Sequence, residues 1–256
     1  MLRSVSSLKG STINATDGEI GHVEEAFFDD DAWAVRYLVV DTGSWLASRK
    51  VLISPYSVRQ PLGSGHVIDV ALTREQVKQS PDIDTHEPVS RRHEHDYLSY
   101  YGYPAYWTGD SLWAMGAYPL VPMLAPPADY AERRVRAAAE AASPEDVHLQ
   151  STAKVSGYHV QASDDGIGHV EDFVFDEESW AIRYLVIDTR NWWPGGTRVL
   201  IATRWIDRIE WAERKVYTTL TRDAVKASPE YRESAAIDRE FETRLHDAHG
   251  RQGYWD

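Results

Sequence analysis

Short apolar runs recur along the chain, separated by turn-forming clusters. Phe27-Phe28, VRYLVV (35–40) and VLI (51–53) are rich in β-branched and aromatic residues, which suit a pleated, half-buried surface. Between them stand Asp17-Gly18, Asp29-Asp30-Asp31 and Thr42-Gly43-Ser44, residue types that punctuate strands. WIDRIEWAERKVYTTL (205–220) reads as a hairpin turning near 212–214. Strands this short and this closely spaced predict a small closed β-barrel, in which closure removes the bare sheet edge.

Further on the pattern turns helical. Thr73 and Gln76 have the spacing of a capping box, and a short helix is expected to run towards Ser80 before Pro81. At the equivalent place Thr221 is kept but Ala224 replaces the glutamine. A longer helix follows, started by Ser90 or Asp238 and ended by Gly102 or Gly250. Its expected apolar stripe is Tyr97 and Tyr101 the first time, Phe241 and Leu245 the second, four residues apart. The helix and the Tyr-Trp pair beyond it are expected to pack on a barrel; whether on their own copy or the other stays open.

The pattern occurs twice. IGHVE opens at Ile20 and again at Ile167, and the match runs on from AFFDDDAWAVRYLVVDT to FVFDEESWAIRYLVIDT. One extra residue enters after Trp192, then LTREQVKQSP (72–81) meets LTRDAVKASP (220–229), and Tyr106-Trp107 meets Tyr254-Trp255. Residues 1–107 and 148–256 are two copies of one unit. Copies this long are tandem domains rather than a solenoid of short repeats. The link, 108–147, begins rich in aromatics and proline and carries a predicted helix near 129–142 that stops before Pro144. The expected fold is mainly β with helical extensions: two small barrels, each followed by a short and a longer helix.

Composition narrows the function. Of 256 residues 43% are hydrophobic and 26% charged, as in ordinary globular proteins, and the net charge is −13. That charge repels nucleic acid and anionic membrane surfaces, and no long basic run compensates. The absence of cysteine removes disulfides, thiolate nucleophiles and iron–sulfur ligation. The polar start of the chain and the lack of a long apolar stretch predict a soluble, cytoplasmic protein without membrane insertion. There is no Gly-x-Ser-x-Gly elbow and no phosphate-cradling or dinucleotide glycine loop, so no enzyme and no cofactor are expected.

Three stretches carry a family signature: Gly21-x-Val23-x-x-x-x-Phe28-Asp29, WAVRYLVVDTGSWL (33–46) and RKVLIS (49–54). The second copy answers with Gly168-x-Val170-x-x-x-x-Phe175-Asp176, WAIRYLVIDTRNWW (180–193) and RVLIA (198–202). Both copies resemble the PRC-barrel family, and the tails resemble extensions of stand-alone bacterial members. The resemblance implies two PRC-type barrels whose framework positions are Gly21, Asp29, Arg36 and Asp41, and Gly168, Asp176, Arg183 and Asp188. The family includes the cytoplasmic part of the photosynthetic reaction-centre H subunit and the C-terminal domain of a ribosome maturation factor. In both, the barrel docks on other proteins. Assembly with a protein partner or with itself, a homodimer included, is the implied role. An accessory role in photosynthetic electron transport rests on that analogy alone.

Several residues are candidate sites. His22-x-Glu24 and His169-x-Glu171 place an imidazole and a carboxylate two apart on a strand, where they share a face. Such a pair can hold a metal or a proton. The plainer reading is a polar strand start pairing with Arg36 and Arg183. RRHEHD (91–96) offers His93 and His95, but His93 falls on the apolar stripe and is expected to pack. The acidic triples at 29–31 and 176–178 lack the spacing of a calcium loop and read as hairpin turns. The loops TGSWLASR (42–49) and TRNWWPGGTR (189–198) expose interface-prone types. Trp45, Leu46, Arg49, Trp192, Trp193 and Arg198 are the candidate protein-binding residues; the alternative for Trp45 and Trp192 is packing at the barrel end or between the copies, and Trp193 is the one expected to face outward. The aromatic stretch 100–120 either buries itself or forms an apolar patch that wants a partner.

Overall fold

The computed structural model describes residues 1–62, 65–81, 89–121, 148–190, 192 and 194–256. The predicted linker helix near 129–142 lies outside them. The protein is mainly β, with two sheets and a few helices. It divides into two compact units. The N-unit comprises Ser7–Ser151 and Glu177–Ala181, and the C-unit Met1–Ser6, Thr152–Asp176 and Ile182–Asp256.

In the N-unit the strands are β2 (Thr12–Ala15), β3 (Gly18–Asp29), β4 (Ala34–Asp41), β5 (Lys50–Ile53), β6 (Val67–Asp69) and β7 (Leu149–Ser151), ordered β5-β4-β3-β2-β6 with β7 on β3. The C-unit repeats the plan with β8 (His159–Gln161), β9 (Gly166–Asp176), β10 (Ile182–Asp188), β11 (Arg198–Ala202), β12 (Ile206–Glu210) and β13 (Lys215–Thr218), ordered β11-β10-β9-β8-β13-β12. β1 (Leu2–Ser4) lies on β9. β12 and β13 form the predicted hairpin, with Arg214 left-handed at its turn.

The expected closure into barrels is not made by a strand ladder. In the C-unit the two end strands of the path, β11 and β12, are joined by a single 3-10 turn, Thr203–Trp205, whose Trp205 is buried. In the N-unit a 3-10 turn at Pro55–Ser57 follows β5, and Val58 then bridges Val70. Bending one segment between the two ends of the sheet leaves the end strands without a shared ladder.

Each unit takes a strand from the opposite copy. β1 pairs β9 as Leu2↔Asp176 and Ser4↔Val174, while β7 pairs β3 as Leu149↔Asp29 and Ser151↔Phe27. The register is the same in both. β3 runs past the end of β2, so its far end carries unpaired backbone groups that a short strand can cover. The hairpin turn Glu177–Ala181 also belongs to the N-unit: Trp180 is fully buried, and its carbonyl accepts the Val35 N–H at 2.9 Å.

The helices follow their caps. α1 (Arg74–Lys78) has the complete Thr73–Gln76 box. α2 (Arg91–Tyr101) starts at Ser90 and ends at left-handed Gly102. After α3 (Thr152–Val155), α4 (Arg222–Lys226) keeps the Thr221 half of the box. α5 (Arg239–Ala248) starts at Asp238. The apolar-stripe reading needs correction. α2 buries Arg91, Glu94, Tyr97 and Leu98, and α5 buries Glu242, Leu245 and His246. His93 is exposed rather than packed, because the inward face one residue on belongs to Glu94.

Candidate functional site

Gly21 and Gly168 sit where β3 and β9 cross the ends of β4 and β10. A Cβ at Gly21 would fall 2.0 Å from the Asp41 carbonyl oxygen, and one at Gly168 2.3 Å from that of Asp188. Only glycine permits this approach. It brings the loop after β4 against the start of β3. Asp41 then opens the loop by accepting the Gly43 N–H at 2.8 Å, as Asp188 accepts that of Arg190 at 2.9 Å.

His-x-Glu does not work as a pair in either unit. A β-bulge falls at Glu24 in one ladder and at Glu171 in the other, breaking the shared face. Glu24 meets Lys50 at 2.7 Å, and Glu171 meets Arg198, the residue at the same ladder position. His22 faces Glu19 at 3.7 Å, and His169 stands 4.0 Å from Asp188. The expected partners Arg36 and Arg183 are engaged elsewhere. Arg36 meets Asp29 at 3.2 Å and Arg183 meets Asp176 at 3.8 Å. Among the described residues no group of three or more His, Asp or Glu is placed to hold a metal.

The tryptophan loops dock on their own units. The Trp45 indole N–H donates to the Ile20 carbonyl, and the Arg74 guanidinium lies 4.4 Å over its ring. Leu46 is half-buried beside it. Trp192 instead abuts Gly166, where a Cβ would come within 2.5 Å of the ring. Trp193 is outside the described residues. Arg49 donates to the carbonyls of Lys78 (3.0 Å) and Ser80 (2.7 Å), closing the end of α1. Around Trp45 a groove of about 490 Å³ gathers Glu19, His22, Asp41 and Arg74. The fold thus joins residues singled out separately in the sequence, His22 and Trp45, in one place.

A second constellation, in both units, escaped the sequence reading. In the N-unit the buried Glu94 accepts the Tyr106 hydroxyl at 2.5 Å and meets His148 at 2.9 Å, and Arg91 stands 3.7 Å away. Arg36 lies between the Tyr106 and Trp113 rings, 3.8 and 4.7 Å from their centres. In the C-unit Glu242 accepts the Tyr184 hydroxyl at 2.8 Å, Arg239 meets it at 3.1 Å, and His246 Nε2 lies 3.1 Å from the same hydroxyl. Burial, reinforced by the adjacent carboxylate, pushes Tyr37, Tyr106 and Tyr184 well above the ordinary phenol range. All three stay protonated, and Tyr106 and Tyr184 donate to the carboxylates. Burial also holds His246 below the ordinary imidazole value. With Glu94 and Glu242 buried at their centres, these clusters fasten helix and Tyr-Trp tail to the sheet of their own copy. The signal was present: Arg91-x-x-Glu94 with Tyr106 and Arg239-x-x-Glu242 with Tyr254 are retained in both copies. The histidines of RRHEHD drew attention from it.

Residues 2–73 match the family model for the PRC-barrel domain, so a PRC-barrel domain is present in the first copy. The matched residues run from β1 through β6. No curated protein matches the chain. No helix among the described residues is long and apolar enough to cross a membrane.

Proposed function

We propose that the chain is a non-catalytic protein-binding and assembly module, and that 148–256 form a second PRC-type domain beside the first. The repeated glycine contact, bulge and Arg–Glu–Tyr cluster support the tandem reading. The domain reading is 1–107 and 148–256, with 108–147 between. A cytoplasmic setting fits the cysteine-free, acidic composition.

The observation that carries the binding role is the apolar run beyond the buried Trp113. Met115, Tyr118, Leu120 and Val121 are 59, 48, 66 and 40% exposed. Exposed apolar side chains this closely grouped mark contact surfaces. By contrast, the carboxylates at the centre of the titratable clusters are buried and paired internally, which suits scaffolding rather than turnover. The Trp45 loop supplies a second contact surface.

Site-specific photocrosslinking in the native host tests this. A benzoylphenylalanine at Met115 or Ser44 is expected to trap a defined protein, or a second copy of the chain. The same probe at exposed Arg208 is expected to trap none. Equal, diffuse products at all three sites would overturn the reading.

A further inference from the structure

The two copies differ at one arginine. Arg74 and Arg222 open α1 and α4, and each backbone N–H is held at 2.8 Å by an aspartate, Asp17 or Asp164. They therefore start from the same place. Arg222 is neutralised: NH1 meets the Asp165 carboxylate and NH2 donates to the Trp192 carbonyl at 3.2 Å. In the first copy Gly18 stands at the position of Asp165. A Cβ there would lie 3.4 Å from Arg74 Cδ, so the space beside the arginine carries no side chain. Among the described residues Arg74 makes no ion pair, and its Nε is buried without a hydrogen-bond partner. Its guanidinium carbon lies 4.4 Å from the Trp45 ring centre, and its terminal N–H groups, without a partner among the described residues, can receive a planar anion.

Taking Trp45 as part of a protein-binding surface, we propose that this groove receives the side-chain carboxylate of an aspartate or glutamate from a protein partner. The partner's acid takes the place that Asp165 fills in the second copy. The other charged groups lining the groove do not compete for Arg74. Asp41 Oδ1 accepts the Gly43 N–H, and Glu19 faces His22. A volume of about 490 Å³ holds one or two side chains, not a helix.

The test uses the full ¹⁵N-labelled chain and the Trp45 indole signal, assigned with Trp45→Phe. N-acetyl-aspartate N-methylamide is expected to shift that signal saturably, and the asparagine analogue is not. Arg74→Gln is expected to weaken the response at least tenfold, while Arg222→Gln leaves it unchanged. Equal response to both probes, no saturable response, or persistence in Arg74→Gln would overturn the proposal. Crosslinking at Ser44 separates the two readings. A trapped partner with a silent acid probe overturns the carboxylate alone, whereas no trapped partner there removes this groove from the binding surface.

Discussion

Arg36 stands over the face of Tyr106, 3.8 Å from guanidinium carbon to ring centre, and Arg183 stands over Tyr254 at 4.0 Å. One residue of each pair lies on a central strand and the other in the tail seventy residues on. The contact is cation–π, and in the N-unit it is deeply buried: Arg36 is 2% exposed. It is the clearest sign that the tails belong to the fold of their own copies.

The Glu94 cluster is expected to carry much of the N-unit's stability. Glu94→Ala leaves Arg91 and His148 facing an empty site, and removing one partner of a buried ionic group costs about 3–5 kcal/mol. Urea denaturation should show that loss. Tyr184→Phe, which removes the hydroxyl's contacts with Glu242 and His246 in the C-unit, should cost about 1.5–3 kcal/mol.

Gly21→Ala and Gly168→Ala are expected to lose more than about 1 kcal/mol each. The added methyl would overlap a backbone carbonyl. Ala substitution at Gly65, which has open space around it, serves as the comparison.

Burial pushes the Asp30 carboxyl up from 3.8 to about 6, with Asp31 and Asp29 adding to the shift. A raised folded value means the folded state binds the proton more tightly. Its contribution is complete below pH 4 and is lost as pH rises through about 6. Asp30→Asn is therefore expected to stabilise the protein at pH 7, by about 1 kcal/mol after solvent screening. The gain should vanish near pH 4, as thermal melts across that range would show.

Deleting residues 1–6 is expected to weaken the C-unit, although they open the first copy. Val5 N–H donates to the Phe173 carbonyl at 2.8 Å, and β1 covers 174–176. Hydrogen exchange should speed up around 173–176 and leave 27–29 protected. The reverse pattern would show that β1 pairs within its own copy.

Much of the fold was legible because its signals are short-range. Caps at Thr73, Ser90 and Asp238 act within three residues, and the hairpin of β12 and β13 declares itself by alternation around one turn. The duplication needed only comparison of the chain with itself. The Trp45 and His22 sites were legible as residue types but not as one groove, since the close approach at Gly21 brings them together.

What the sequence determined by itself was the central strands of each copy, the capped helices and the duplication, because propensity and capping are local. The tertiary structure decided the rest. Leu2-Arg3-Ser4 and Leu149-Gln150-Ser151 are nearly the same strand and fit either β3 or β9 in one register, so nothing in their residues selects a partner. Likewise the bulge at Glu24 turns its carboxylate to Lys50 rather than to the face of His22. The inward face of α2 was settled by a buried Glu94 meeting Tyr106 and His148 from distant segments. In each case the deciding energy lies in contacts between residues far apart in the chain, which no local pattern records.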